Sequence, residues 1–339
     1  MNVVRNSYLM VDLFFVLSGF VIFHSYHSKL RTRRDAVKFM FLRLGRIYPL
    51  HLVFLFVFLG IEAVKYVGES RFGFVPYQSH AFTMNNGPTF AANLLLVHPF
   101  FPFANKTFNS PSWSIGVEFY VYLLFAVVAV LARKKAWLLI TCGLLMCVAA
   151  AVLGLSAEPG LTADVGFSFL RCVLGFFAGV FAYQIYDRYQ GRILVWSAKV
   201  EIVLLFVLGI FLSLKENPRW DYAVIPLFVL LVIVVATSGG GVVSNALNSP
   251  PLRWLGKVSY SIYMVHLTIM LFLTRVVVLA QRKWLPDEHD GAANSVLGLG
   301  FAFLAVALVL VTSEFSCKWI ELAGQNKFRK FAVRWFGHR

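Results

Sequence analysis

Residues 41–60 read FLRLGRIYPLHLVFLFVFLG, a basic turn followed by an apolar run long enough to enter a membrane. Arg43 and Arg46 stand three residues apart, so on a helix both side chains leave one face. Tyr48 and Pro49 come directly after, and proline suits the first turn of a helix, which predicts a helix start near Pro49. A paired cation at the mouth of a span has two readings. It anchors the chain on the basic, inner side of the bilayer, or its fork geometry holds a phosphate or pyrophosphate group. His51 is either a second donor beside the pair or an interfacial histidine.

Composition sets the class. Hydrophobic residues make up 59% of 339 positions and charged residues 14%, a balance that no soluble domain could hide on folding. The 34 phenylalanines suit lipid-facing and bundle-packing helices. The formal net charge of +15 follows from topology, because Lys and Arg collect in cytoplasmic loops; the basic residues interleave with spans, which excludes a nucleic-acid surface. Cys142, Cys147, Cys172 and Cys317 lie in or at the ends of apolar stretches without metal-ligand spacing and read as packing residues.

The expected fold is all-α, a polytopic transmembrane helical bundle. About nine stretches approach spanning length: 8–26, 47–66, 113–131, 137–155, 167–186, 200–214, 222–237, 257–280 and 295–316. Barrel-type strand signals are missing from the sequence. The 27–46 loop carries Lys29, Arg31, Arg33, Arg34, Lys38, Arg43 and Arg46, whereas 67–112 carries only Arg71 and Lys106. Arg133, Lys134 and Lys135 come next, then 156–166 without a basic residue, then Arg188, Arg192 and Lys199. This alternation places the C-terminus in the cytoplasm. The acidic residues Asp287, Glu288 and Asp290 oppose Arg282 and Lys283 and make the 281–294 loop the least clear. Residues 1–326 read as the membrane domain and 327–339 as a basic amphipathic cytoplasmic tail on the inner leaflet.

Polar residues inside spans are the candidates for chemistry. Asp12 lies one turn into the first span, where an unpaired carboxylate would cost several kcal/mol, so it needs a partner, water or the bundle interior. A polar clasp without chemistry satisfies that need equally well. Ser18 and Gly19 permit close helix approach. In NSPSWSIGVEFYVYLLF, Ser110 and Pro111 read as N-cap and first helical residue, and Glu118 falls about two turns in with Ser114 at i−4. A glutamate at that depth handles a proton, pairs with an ion or accepts a hydrogen bond. In WLGKVSYSIYMVHLTIMLF, Ser259, Tyr263 and His266 share a stripe, with Tyr260 on a neighbouring face. No acid or second histidine has ligand spacing to His266, so no metal is expected. Glu62 with Lys65 and Glu314 with Lys318 read as helix-spaced ion pairs, and Asn93 marks a short re-entrant piece of the outer loop.

Taken in order, VDLFFVLSGF (11–20), RLGRIYPL (43–50), SPSWSIGVEFY (110–120) and LGKVSYSIYMVH (255–266) resemble the membrane acyltransferase-3 family, integral O-acyltransferases of bacterial surface polysaccharides and related acceptors. The resemblance implies roughly ten spanning helices in the cell inner membrane. It implies an acyl group, most often acetyl, taken from acyl-coenzyme A on the cytoplasmic side and delivered to a hydroxyl of a carbohydrate or lipid-linked glycan. Acyl-coenzyme A would be a co-substrate, with no bound cofactor, no metal and no nucleic acid. By motif match Arg43 and Arg46 would hold the coenzyme's phosphates, Glu118 would sit near the acceptor or order the site, and Tyr260 and His266 would belong to a further motif. The family places an arginine and then a histidine base in a span ahead of a block like VDLFFVLSGF. Here MNVVRNSYLM supplies Arg5 and no histidine. Odd span number points the same way, to a helix upstream of Met1. Within this sequence Glu118 and His266 are the buried titratable groups left as bases. Two other readings stand beside this one: a transporter or flippase of a polar lipid-linked substrate, which calls for repeat symmetry that the sequence lacks, and a truncated, inactive acyltransferase.

Overall fold

The structure is a computed structural model that describes residues 2–73, 79–132, 134–156, 161, 167–193, 197–237, 241–284 and 291–337. Arg133, Arg339, most of the 156–166 loop and the acidic run Asp287, Glu288 and Asp290 lie outside the described residues. The helices of eight or more residues are α1 (Met10–Tyr26), α2 (Arg33–Phe72), α3 (Gly87–Leu94), α4 (Trp113–Leu131), α5 (Lys135–Leu155), α6 (Phe167–Ile193), α7 (Ser197–Leu214), α8 (Val224–Thr237), α9 (Pro250–Trp284), α10 (Gly291–Ser316) and α11 (Leu322–Phe336). No strand occurs among the described residues. Among the described residues, eight helical segments are long and apolar enough to cross a membrane. The expected sixth span is α7, which lies outside those eight and accounts for the difference from nine.

Two expectations change. The 27–46 stretch is not a loop that gives way to a helix at Pro49; α2 begins at Arg33 and carries Pro49 in its interior. Its polar first turns are rich in Arg, Lys and Leu, good helix formers that a hydropathy reading does not see. Pro49 is tolerated where Gly324 of α11 packs on its ring. The last expected span, 295–316, also runs on, since α10 passes through a π-helical turn, Cys317–Glu321, into α11.

The chain divides into two compact units. The first comprises Met1–Arg43, Leu96–Asn105 and Trp113–Arg253. Its centre is α6, the most buried span. Gly175 and Gly179 of α6 form a small-residue face, and α1 lies on it so closely that backbones touch. A methyl group at Gly179 would meet the carbonyl oxygen of Val16, and one at Gly19 the carbonyl oxygen of Phe176. The opposite face of α1 exposes Phe14 and Val21, as lipid contact requires. Gly19→Ala is therefore expected to destabilise the protein by about 1–3 kcal/mol through overpacking, read as a lower unfolding midpoint in detergent. An unchanged midpoint would contradict that backbone contact.

Above this contact lies a buried polar network. Asp12 takes Arg171 Nε at 2.8 Å on one oxygen and Nη2 at 2.7 Å on the other. Arg171 also donates to the carbonyls of Leu161 and Tyr8. Asp221 pairs with Lys215 and accepts from Tyr8 Oη and the Leu161 N–H. Asn6 ties the start of the chain to the Leu212 and Lys215 carbonyls.

The second unit comprises Leu44–Leu95, Lys106–Ser112 and Trp254–Arg339. Leu55, Phe58 and Phe108 form a small core with Phe90, Leu94, Leu267 and Leu271. Glu62 pairs with Lys65 at 3.0 Å as expected, while Glu314 accepts from Trp254 Nε1 rather than serving Lys318. The segment around Asn93 is a short helix, α3, opened by a capping box at Asn86 and Thr89.

Candidate functional site

In the first unit, three of the sequence blocks converge. Glu118 and Tyr122 are four residues apart on α4 and so share a face. Tyr122 Oη donates to Glu118 Oε1 at 2.6 Å, and Ser18 Oγ of α1 lies 2.8 Å from the same phenol oxygen. The ring of Tyr122 is held edge-on by Phe39 and Phe176, with centroids at 6.1 and 6.0 Å. Arg43 reaches this neighbourhood from α2, where its guanidinium lies over Phe39, one of the two rings packed against Tyr122. The guanidinium lies 5.3 Å from the Tyr26 ring centroid and 5.8 Å from that of Phe39. Its Nη2 donates to Tyr26 Oη at 3.2 Å, and its buried Nε has no hydrogen-bond partner among the described residues. A half-buried arginine held on two ring faces with a spare donor fits an oxyanion ligand.

The second unit holds the remaining candidates. Arg46 is 47% exposed at its side chain, and its Nη1 lies 3.6 Å from Glu321 Oε1, which is 1% exposed. Ser261 donates to Glu321 at 3.0 Å and Gln325 at 3.2 Å. Glu321 closes the π-helical turn, a distortion that recurs at functional sites. The two arginines of one helix therefore differ: Arg43 keeps an unused donor, while Arg46 already faces a carboxylate. Tyr260 donates to the carbonyl of Ile47, beside Arg46, and Tyr263 to the carbonyl of Pro111 at 2.7 Å. Asn109 donates to the Met264 carbonyl at 3.0 Å. His266 Nδ1 lies 2.7 Å from the Tyr263 carbonyl, which only accepts, so Nδ1 carries the proton and Nε2 is the acceptor in the neutral ring. His51 is buried with Nε2 at 3.0 Å from the Asn93 carbonyl, which makes it a tie between α2 and α3.

The blocks separated in sequence are thus the parts that hydrogen-bond one another within each unit. A family model described as an acyltransferase domain matches residues 1–314. The chain belongs to the acyltransferase-3 family. Among curated proteins, "Acyltransferase MdmB" of Streptomyces mycarofaciens is 26% identical over 336 residues, covering 88% of this chain and 76% of its own length. No solved structure matches. Of the residues that sequence reasoning put forward for this acyltransferase, Ser18 and Glu118 meet at the Tyr122 phenol, while Arg43 lies on Phe39, the ring that packs edge-on against Tyr122. Both oxygens of Asp12 are occupied by Arg171, so it serves as an ion-pair member. Ser114 is buried one turn before Glu118. The four cysteines are free, and no cluster able to hold a metal occurs among the described residues. Three residues escaped the sequence reading: Tyr122, Arg171 and Glu321. Tyr122 sits at i+4 from Glu118, a spacing that could have flagged it.

Proposed function

We propose that this membrane acyltransferase moves an acyl group, most simply acetyl, from acyl-coenzyme A to a hydroxyl of a cell-envelope or exported glycan, acting in the cell inner membrane. The observation that carries the reading is a carboxylate inside a span, Glu118, bonded to Tyr122, whose ring packs on the same Phe39 that carries a cation with an unused donor, Arg43. Arg43 and Arg46 take the phosphates of the coenzyme, the first through its spare Nε and the second in exchange with Glu321. The acceptor hydroxyl is a weak nucleophile and needs a positioned base. Glu118 takes its proton, the oxygen attacks the thioester carbonyl carbon, and the C–S bond breaks with its electron pair on sulfur. The proton held by Glu118 then neutralises the thiolate. His266 is a second candidate base, favoured by the carbonyl bond at Nδ1 that leaves Nε2 to accept.

The test uses membrane vesicles from the producing cells, which carry the natural acceptor, with acetyl-coenzyme A as donor and thiol release as readout. Arg43→Ala with Arg46→Ala is expected to raise the donor KM by about 10–100-fold, the loss of charge-assisted hydrogen bonds. An unchanged donor KM would remove both arginines from the coenzyme site.

A further inference from the structure

We infer that Tyr122 is a positioning residue for the transfer reaction, fixing the direction and the reactive oxygen of Glu118; this rests on Glu118 acting as the base. The phenol has one proton and spends it on Glu118 Oε1 at 2.6 Å, within the range of a bond to an ionised carboxylate. With that proton committed, the 2.8 Å approach of Ser18 has one sense: Ser18 donates to the phenol oxygen. The chain therefore runs from Ser18 through Tyr122 to Glu118. Oε1 is tied, and Oε2 is left to take the proton of an acceptor hydroxyl.

Each member is held by packing outside the chain. Ser18 precedes Gly19, whose backbone is fitted against the Phe176 carbonyl, so the register of α1 against α6 is set beside Ser18. Phe39 and Phe176 stand edge-on to the Tyr122 ring and fix its rotamer. Phe39 also carries the Arg43 guanidinium on its face, so one ring supports both the phenol and the cation.

Tyr122→Phe keeps the ring and removes only the hydroxyl, so the fold is expected to survive. In native membrane vesicles with acetyl-coenzyme A, kcat for thiol release is expected to fall about 10–100-fold, as for a base set loose by an ångström, while donor KM stays within about twofold. Ser18→Ala is expected to lower kcat by a smaller factor in the same direction. The unfolding midpoint of Tyr122→Phe in detergent is expected to match wild type. A wild-type kcat, a raised KM at constant kcat, or a midpoint that falls with the rate would each overturn the positioning role. Glu118→Gln measured alongside separates the two claims. If it retains the wild-type rate, the base assignment itself fails; if it is crippled while Tyr122→Phe runs at full rate, only the tyrosine's role fails.

Discussion

Asp12→Ala is expected to cost the folded protein about 3–5 kcal/mol, because it leaves the Arg171 guanidinium buried without its counter-charge. The pair is bidentate, with both carboxylate oxygens used at 2.7 and 2.8 Å, and both residues are buried. Arg171 additionally supports the Tyr8 and Leu161 carbonyls, so the loss spreads to the start of α1. The measurement is the unfolding midpoint in detergent, with Arg171→Met expected to be similarly damaging. Replacing both partners by apolar residues, Asp12→Leu with Arg171→Met, is expected to recover much of the loss, since no charge is then left unpaired. If each single change costs under about 1 kcal/mol, the pair behaves as a solvated surface bridge and the buried network has no structural weight.

Glu118→Gln is expected to lower kcat for acyl transfer by about 10²–10⁴-fold, the range of a lost general base, with the unfolding midpoint preserved. Glutamine keeps the shape of the side chain, and its carbonyl oxygen still accepts from Tyr122. What disappears is the ability to take a proton. The donor KM is expected to change little, because the proposed contacts to the coenzyme's phosphates are at Arg43 and Arg46, not at Glu118. A rate within about threefold of wild type would transfer the role of base to another group, with His266 next in line.

The apolar runs were legible because lipid forces each span to satisfy its own backbone, which leaves length and hydropathy as sufficient signals. The same logic misplaced the start of α2: Arg33–Arg46 is helical by propensity, and only its apolar half announces a span. The candidate site was partly legible. Glu118 stood out as a carboxylate deep in a span, Arg43 as half of a cation pair at a span mouth and Ser18 as a small residue suited to close helix approach; the structure joins Ser18 and Glu118 through Tyr122 and sets Arg43 on the neighbouring Phe39 ring. Their ordinary partners did not stand out. Arg171 lies in FSFLRCVLGFF, where an arginine among apolar neighbours calls for a carboxylate on another helix, and Asp12 was already waiting for one. Glu321 was masked by the basic tail beside it, and its service to Arg46 depends on a π-helical turn that hydropathy does not register. Pairing across helices is a tertiary fact, written in sequence only as the need for some partner.

Acyl transfer as proposed forms a new ester with a group taken from acyl-coenzyme A. Native membrane vesicles given radiolabelled acetyl-coenzyme A decide whether it does, with base-labile label on the envelope glycan as the readout. Ester-linked label is expected with the wild-type protein, and its near disappearance with Glu118→Gln. Glycan that crosses the bilayer without acquiring label would contradict it and favour a transporter.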